Sequence, residues 1–436
     1  MITLDSQTMR TLQHRLTSAQ SSFASRFPGE SSARQPVHVL YGGAHLFKAE
    51  TAKKLGELAR QALTTYAPDS LSLGDALDLE LGLAARVFPR VVAKLEREPV
   101  EDLRIDFEDG YGHRSEEEED GHAIEAARQV SRGLSENLLP AFYGIRIKPM
   151  SAELGARAIR TLDLFLTELK KPVLITLPKV VSVAQVELFV SVLSELEEKL
   201  GFPHRSLRVE FMVEAAQGLI DGEGRHLLPL LHAAAQGRLQ AAHFGAYDYT
   251  ASLDITASHQ ALRHPSCDLA RAEMKWAFAG TGVFLSDGAT TRMPIAPHRG
   301  ATLTDSQLSE NRRMVHAAWL TSAEDIRHSL ASGFYQGWDL HPAQLVARYG
   351  TVFAFFLESL APATERLSHF VKRLGQATLS GTVFDDAATG QGLLNFFLRG
   401  LSCGALTEEE VAATGLTPAE LQSRSFSTIA RNRRAL

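Results

Sequence analysis

The sequence predicts an α/β fold, a closed (β/α)₈ TIM barrel with an N-terminal helix and a C-terminal helical extension. Short apolar runs rich in β-branched residues alternate with longer segments whose apolar residues recur at helical spacing. This alternation is typical of βαβ units and of a parallel sheet. Eight such runs occur, which favours one closed barrel over an open sheet. The chain has 436 residues, more than the roughly 250 of a barrel, so further segments are expected at its ends.

The predicted barrel elements follow one another in chain order. The predicted strands cover residues 37–43, 103–109, 142–148, 173–179, 207–214, 239–248, 282–288 and 333–342. Helical patterns lie between them, for example at 151–171 and 183–200, and the longest insert, 49–101, is mostly helical. Residues 37–345 are therefore predicted to form the catalytic barrel domain.

The two flanking segments lack this alternation. Residues 1–36 predict an amphipathic helix and then a Ser-rich connector at 21–36. After residue 345 no further strand is predicted, and residues 346–436 are expected to form a helical extension.

Composition argues against several classes of partner. The net charge is −6, whereas a nucleic-acid binder normally presents a basic face. The chain contains no apolar run of the roughly 20 residues that a membrane helix needs, and its first residues lack the apolar core of a signal peptide. Cys267 and Cys403 form no CxxC pair, so neither a zinc site nor a disulfide is expected. These features predict a cytoplasmic protein with a small-molecule substrate and without nucleic-acid or membrane partners.

Charged residues stand at the ends of six of the eight predicted strands. In chain order they are Asp106, Glu108 and Asp109, then Arg146 and Lys148, Lys179, Glu214, Asp248 and His341. One such residue is explained equally well as the cap of the next helix. Six strands ending in this way indicate an active site, because catalytic residues of barrels gather at the carboxyl ends of the strands.

Glu214 and Asp248 are the candidate metal ligands. They follow adjacent predicted strands, so their carboxylates can converge on one hard cation although they are far apart in sequence. Two carboxylates leave coordination positions for water and for substrate oxygens, which is the usual arrangement around Mg²⁺, and Mn²⁺ suits the same oxygen ligands.

The basic residues suggest how a substrate is held. Arg146 suits a bidentate grip on a carboxylate or an enolate oxygen. Lys179 adds a point charge or, alternatively, a Schiff-base amine. His45 is either a base or a histidine that orients another group. No GxGxxG, Walker, GxSxG or HExxH motif occurs, so neither a nucleotide site nor a serine or zinc hydrolase is indicated.

Six short motifs stand in a fixed order along the chain. They are DFEDGYG at 106–112, RIK at 146–148, PKVV at 178–181, EAAQGL at 214–219, FGAYD at 244–248 and GWDLHPAQ at 337–344. In this order they resemble the citrate lyase β-subunit-like group, with the malyl-CoA lyases, of the HpcH/HpaI aldolase superfamily, whose members are TIM barrels of the phosphoenolpyruvate/pyruvate type. The chain departs from that pattern where RIK replaces RxN and where PKVV lacks a glutamate.

The resemblance implies a role for each matched residue. Glu214 and Asp248 would hold Mg²⁺, and Arg146 would bind the substrate's carboxylate end. Glu108 and Asp109 would lie near the metal-bound waters, and Lys179 at the rim of the site.

Three further assignments come from the same resemblance. An acid/base aspartate is expected in the segment 383–394, where Asp385 is the candidate and Asp386 the alternative. His45 and Lys48 lie near the place where the family holds CoA phosphates. Members usually form trimers or hexamers, so a homo-oligomer is expected.

Together these features predict a Mg²⁺-dependent carbon–carbon lyase or aldolase that acts through a metal-stabilised enolate. The substrate is a hydroxy or oxo acid, either free or as its CoA thioester. One alternative is a phosphoenolpyruvate-utilising or thioester-hydrolysing enzyme on the same metal site. Another is a non-catalytic binding module on the same barrel, which predicts gaps in the set of polar residues.

Overall fold

A computed structural model of the protein describes residues 3–31, 33–372, 378–380, 383–385 and 387–434. Eight parallel strands form a closed barrel in sequential order, and the last strand pairs with the first. The strands are β1 (His38–Gly43), β2 (Asp102–Asp106), β3 (Phe142–Arg146), β4 (Leu174–Leu177), β5 (Arg208–Val213), β6 (Leu239–Phe244), β7 (Phe284–Ala289) and β8 (Gln336–Asp339). The predicted (β/α)₈ barrel is therefore confirmed.

Helices surround the barrel and extend it at both ends. They are α1 (Ser6–Arg26), α2 (Thr51–Tyr66), α3 (Ser70–Leu77), α4 (Leu81–Arg97), α5 (Glu116–Ser135), α6 (Gly155–Leu169), α7 (Val183–Leu200), α8 (Leu228–Ala234), α9 (Ala246–Ser252), α10 (Pro265–Phe278), α11 (Asp305–Ala331), α12 (Gln344–Lys372), α13 (Ala387–Ser402), α14 (Glu408–Ala412), α15 (Pro418–Ser423) and α16 (Phe426–Arg434). None of the described helices is both long enough and apolar enough to cross a membrane.

Local sequence signals explain where several of these helices begin and end. The hydroxyl of Ser182 accepts a hydrogen bond from the backbone N–H of Gln185 and caps α7, which ends at Gly201 with a φ of +68°. Ser115 and Glu118 form a reciprocal capping box at the start of α5. The caps at Ser115 and Ser182 fix where the loops that follow β2 and β4 end.

Strand register brings the predicted site residues to one level. Asp106, the last residue of β2, is the register partner of Arg146, the last residue of β3, and also of Gly43 in β1. The carboxyl ends of parallel strands share one rim, so side chains that follow them face the same space.

Helix α1 differs from the sequence prediction in two ways. It continues through residues 21–26, which the sequence assigns to the connector, and ends at Arg26. Phe27 precedes Pro28, and a residue before proline disfavours the helical conformation, so the connector begins there. The amphipathic pattern predicts a buried apolar face, yet none of the residues of this helix is buried in this chain.

The C-terminal extension is not wholly helical, which corrects the prediction that strands stop after residue 345. Strand β9 (Thr378–Ser380) pairs antiparallel with β10 (Val383–Asp385). Thr378, Val383 and Phe384 are residue types that favour extended backbone. A three-residue strand is too short for a periodic pattern to reveal it.

Candidate active site

Arg146 and Asp106 form the fixed base of the site. The guanidinium of Arg146, only 1% exposed, donates through Nε to Asp106 Oδ1 at 2.7 Å and through Nη2 to Oδ2 at 2.6 Å. This bidentate pair follows from the register of β2 with β3 and fixes the plane of the guanidinium.

The third nitrogen of Arg146 faces the loop after β2. Nη1 lies 2.8 Å from Glu108 Oε2 and 3.4 Å from Asp109 Oδ2. Asp106 also holds this loop, because it accepts hydrogen bonds from the backbone N–H groups of Glu108 and Gly110. A Cβ at Gly110 would lie 2.6 Å from Asp106 Oδ2, so glycine is required for this turn.

Two aromatic rings pack against the guanidinium. Its Cζ lies 4.8 Å from the ring centroid of Tyr41 and 5.4 Å from that of Trp338. Burial acts to lower the pKa of Arg146, but the hydrogen bonds and charge of Asp106 outweigh it and raise that pKa well above its ordinary value. Arg146 is therefore a permanent cation with little rotational freedom.

Lys179 lies at the centre of a group of carboxylates. Its Nζ is 3.0 Å from Glu108 Oε1, 3.2 Å from Asp248 Oδ2 and 3.9 Å from Glu214 Oε1. Lys179 has a φ of +51°, an uncommon conformation for a residue with a side chain, and such strain often accompanies functional sites. Its backbone N–H donates to Glu214 Oε1 at 2.7 Å. Burial opposes the charge of Lys179, but Glu214, Glu108 and Asp248 raise its pKa overall.

Glu214 is the most deeply buried of these carboxylates, with 3% of its surface exposed. Burial, together with the charges of Glu108 and Asp248, raises the pKa of Glu214 to about 8, although Lys179 opposes that rise. The carboxylate lies against Gly245, where a Cβ would be 2.5 Å from the Cβ of Glu214 and 2.7 Å from its Oε2. Glycine at 245 therefore leaves the space that Glu214 occupies.

The donor set fits a hard divalent cation. The carboxylates of Glu108, Glu214 and Asp248 surround the single ammonium of Lys179, so negative charge is in local excess. Within the described part of the chain, no three acidic, histidine or cysteine side chains stand close enough together to hold a metal by themselves. A cation held by Glu214 and Asp248 would therefore need water or substrate oxygens as its further ligands.

His45 lies beside the site but makes no described contact with its carboxylates. It belongs to a short 3₁₀ helix after β1, and its ring packs 5.5 Å from that of Tyr111 and 6.2 Å from that of His122. Burial lowers the pKa of His45, as do the charges of Arg114 and His122. These contacts favour the neutral imidazole.

The other predicted residues lie apart from this cluster. Lys48 Nζ is 3.2 Å from Glu125 Oε1, with about half of each side chain exposed. Lys148 pairs with Glu119 at 2.8 Å and donates to the carbonyl of Phe107. His341 Nδ1 accepts from the backbone N–H of Ala343, as a local cap does.

The proposed acid/base residues cannot be placed against the cluster. The backbone of Asp385 ends β10, but its side chain lies outside the described part of the chain. Asp386 lies outside the described residues.

Sequence reasoning missed the layer of polar side chains beneath the cluster, inside the barrel. Arg104 Nε and Nη2 each donate to a carboxylate oxygen of Glu210 at 2.8 Å, and Arg104 also binds Asp102. His243 belongs to this layer, because its Nε2 lies 3.2 Å from Glu210 Oε2. The Tyr41 hydroxyl lies 3.1 Å from His243 Nδ1 and the Tyr41 ring packs on Arg146, so Tyr41 connects the layer to the site. The predicted strands are mostly apolar, but Arg104 and Glu210 lie within two of them. These two charged residues are the sequence signal from which the layer could have been predicted.

Comparison with known proteins adds a family and a fold. Residues 16–429 match a family model described as a domain of unknown function, DUF6986. The search of curated proteins returned no match. Among solved structures, a citrate lyase from Burkholderia xenovorans LB400 is 19% identical, with a TM-score of 0.56 over 88% of this chain and 100% of that one.

Two further solved structures are similar. The protein CitE from Mycobacterium tuberculosis, in complex with magnesium, acetoacetate and coenzyme A, is 17% identical, with a TM-score of 0.50 over 86% of this chain and 100% of that one. A malate synthase from Haloferax volcanii, in a ternary complex with pyruvate and acetyl-CoA, is 13% identical, with a TM-score of 0.45 over 93% and 100%. At identities of 19% and 17%, the likeness to the Burkholderia and Mycobacterium structures establishes the barrel fold alone. Because the family model covers almost the entire sequence, the chain belongs to the DUF6986 family, whose fold here is a (β/α)₈ barrel.

Proposed function

We propose that this protein is a Mg²⁺-dependent carbon–carbon lyase or aldolase that cleaves or forms a short hydroxy acid, either free or as its CoA thioester. One observation carries the proposal. Glu108, Glu214 and Asp248 all converge on the ammonium of Lys179, beside the buried guanidinium of Arg146. The cluster follows β2 to β6, at the end of the barrel where catalytic residues of this fold gather.

Glu214 and Asp248 are the proposed ligands of the metal. A divalent cation bound there, Mg²⁺ or Mn²⁺, would supply Lewis-acid stabilisation of an enolate oxygen. Glu214 is almost fully buried, whereas the side chain of Asp248 is 46% exposed. This difference supports Glu214 as the metal ligand inside the barrel and Asp248 as the ligand on the solvent side. The ammonium of Lys179 contacts the same two carboxylates, so a bound metal ion would compete with it for them.

Arg146 is the proposed anchor of the substrate's carboxylate or enolate oxygen. Asp106 fixes two of its nitrogens, so Nη1, which faces Glu108 and the half-exposed Asp109, is the nitrogen nearest the open side. A guanidinium held in this way needs no rearrangement to meet developing negative charge.

The similar solved structures support the same class of chemistry. The Burkholderia protein is a citrate lyase, and the Mycobacterium protein CitE forms a complex with magnesium, acetoacetate and coenzyme A together. On this basis we propose a short oxo or hydroxy acid as the substrate class, free or linked to coenzyme A. His45 and Lys48 are the candidates for contact with the rest of such a substrate.

Three further parts of the proposal rest on the sequence: the acid/base residue and the assembly on the family resemblance, and the domain division on the pattern of strands and helices. Asp385 is the proposed acid/base residue. The domain division at residues 36 and 345 and a homo-oligomeric assembly, a trimer or hexamer, also belong to the proposal. A tail that brings Asp385 to a neighbouring subunit's site would require such an assembly.

The test is a product screen of the purified protein against short hydroxy and oxo acids, free and as CoA thioesters, with and without Mg²⁺. NMR or mass spectrometry would follow the carbon skeleton. We expect Mg²⁺-dependent C–C cleavage that is lost in Glu214→Gln and kept in Glu195→Gln, a control at an exposed position on α7. Full activity of Glu214→Gln would refute the metal assignment. Thioester hydrolysis with the skeleton intact, or turnover of phosphoenolpyruvate, would identify the alternative enzyme class.

A further inference from the structure

A cavity of about 940 Å³ lies at the end of the barrel opposite the candidate active site. Arg208, Leu239 and Phe284 line it, and they are the first residues of β5, β6 and β7. Glu214 follows the last residue of β5, so the length of a six-residue strand, roughly 20 Å, separates the two places. The cavity is therefore not part of the active site.

The cavity wall carries positive charge and no acidic side chain. Arg26 and Arg208 supply this charge, and the described lining contains neither aspartate nor glutamate. His232 also lines the cavity, but burial and the charge of Arg26 lower its pKa and favour the neutral imidazole. In the whole chain, by contrast, acidic residues outnumber lysine and arginine, 51 to 45. The wall is thus a local basic site on an acidic protein.

Arg208 is the unexplained group in this wall. It is half-buried, and no hydrogen-bond or ion-pair partner is found for it among the described residues. Burial and the nearby charge of Arg238 lower its pKa. Elsewhere in the barrel, buried arginines are paired: Arg238 with Glu197, and Arg104 with Glu210. A guanidinium partly removed from water without a counter-charge is costly unless a ligand supplies that charge.

The aromatic side chains of Trp276 and Phe27 line the same cavity. The side chain of Trp276, on α10, lines the cavity and is 69% exposed, which is high for the residue type. Phe27, where the connector begins, also lines it, and the guanidinium of Arg26 lies 5.5 Å from the Phe27 ring. Rings of this kind offer stacking surfaces to a planar group.

We propose that this cavity is a second ligand site, which binds a small organic anion carrying an aromatic ring. The anionic group would pair with Arg208 and Arg26, and the ring would stack on Trp276 or Phe27. The volume falls within the range of small-molecule sites, roughly 300–1,000 Å³. A phosphate-bearing ligand and a carboxylate-bearing ligand share this chemistry, so the experiment has to distinguish them.

The test is a calorimetric titration of the full-length protein with four probes: adenosine 5′-monophosphate, benzoate, inorganic phosphate and adenosine. We expect saturable binding of adenosine 5′-monophosphate or of benzoate, and which of the two binds identifies the anionic group. Inorganic phosphate and adenosine each supply only half of the proposed contacts, so both should bind at least about tenfold more weakly. Quenching of Trp276 fluorescence, absent in Trp276→Phe, would place the ring at the cavity.

Arg208→Met should weaken that binding by about tenfold or more, because it removes a charge-assisted contact. Its melting temperature should not fall below the wild-type value, since Arg208 has no described partner to lose and its unpaired charge is costly to bury. Arg225→Met, at an exposed arginine outside the cavity, is the matched control. Glu214→Gln should bind the probe normally, which separates this site from the proposed active site.

Two results would overturn the proposal. One is the absence of saturable binding for both ring-bearing anions, or binding that Arg208→Met leaves unchanged. The other is a sedimentation experiment in which Trp276→Asp dissociates an oligomer while the wild type binds no probe, because the cavity wall would then be a contact between copies.

Discussion

At the scale of single residues, the pairing of Arg146 with Asp106 has consequences for stability as well as for the proposed substrate site. Both side chains are buried, and two hydrogen bonds join them. Removing one partner of such a pair leaves the other as an uncompensated buried charge.

We therefore expect Arg146→Met to lower the free energy of unfolding by about 3–5 kcal/mol. The double variant Arg146→Met/Asp106→Leu should regain part of that loss, because it buries no unpaired carboxylate at position 106. The rest should remain lost, because the backbone N–H groups of Glu108 and Gly110 no longer have Asp106 as their acceptor. Urea denaturation measures both. Arg128→Met, at an exposed pair with Glu168, is the control and should unfold at the wild-type midpoint. Equal losses in the single and double variants would contradict a paired-charge origin.

A second residue-scale prediction concerns His38, in β1. It is fully buried, and its Nε2 accepts a hydrogen bond from the backbone N–H of Glu101. Burial, reinforced by Arg348 and Lys94 and opposed by Asp339, lowers the pKa of His38 from 6.5 to about 3. The folded protein therefore keeps this imidazole neutral at a pH where the unfolded chain protonates it.

Below pH 6.5 the unfolded state thus binds the extra proton, so this group's contribution to stability is present above that pH and is lost as the pH falls toward 3. The loss amounts to at most about 1.4 kcal/mol per pH unit. His38→Gln keeps a hydrogen-bond acceptor but does not titrate, so its stability should fall less steeply on acidification. His14→Gln, in the exposed helix α1, should keep the wild-type slope. Denaturant titrations at several pH values would decide between these outcomes.

At the scale of elements, the turn from β6 into α9 determines where Glu214 can lie. Gly245 has a φ of −94°, which other residues adopt readily, so its requirement is for space and not for an unusual backbone. A methyl group there would meet the Glu214 side chain within 3 Å.

Gly245→Ala should therefore displace the proposed metal ligand without unfolding the protein. We expect Mn²⁺ affinity to fall by about tenfold to a hundredfold, the range typical of disturbed support around a metal ligand. Electron paramagnetic resonance of bound Mn²⁺ measures the change. Gly222→Ala, at a glycine whose added Cβ would meet no atom within 4 Å, is the matched control. Unchanged affinity in Gly245→Ala would mean that Glu214 is not a ligand.

Element-scale sequence patterns were informative for the barrel and less so for the two flanks. Each of the eight predicted strands overlaps an observed one, because buried parallel strands leave dense apolar runs between helical repeats. The apolar residues of α1 predict a packed face, but Met9, Leu12 and Leu16 are exposed. Periodicity describes which residues share a face of a helix; it does not say whether anything in the same chain covers that face.

At the scale of the whole molecule, the two ends of the barrel differ in charge. Carboxylates gather where β2 to β6 end, and arginine side chains line the cavity where β5 to β7 begin. The excess of carboxylates predicts that metal binding stabilises the fold as a whole.

A ligand that binds only the folded state adds about 2.7 kcal/mol to its stability when present at about a hundred times its Kd. We therefore expect Mg²⁺ to raise the melting temperature of the wild-type protein and EDTA to reverse the change. Glu214→Gln should show no such rise, whereas Glu195→Gln should behave as the wild type does. A rise of the same size in Glu214→Gln would locate the metal elsewhere.

The barrel, the order of its strands and the set of charged residues at their ends could all be predicted from the sequence. These features depend on local periodicity and on the rule that parallel strands end at one rim, so they can be read along the chain. The candidate residues Arg146, Glu108, Lys179, Glu214 and Asp248 were found in this way, and the structure brings them together.

The contacts between these groups could not be predicted in this way and are known from the folded structure. Arg146 is held by Asp106 and packed on Tyr41 and Trp338, and Lys179 lies among three carboxylates. These contacts join residues at least 35 positions apart, and Tyr41 and Trp338 meet only where β8 closes onto β1. Their partners depend on strand register and barrel closure, which are set by packing over the whole molecule and leave no local signal in the sequence.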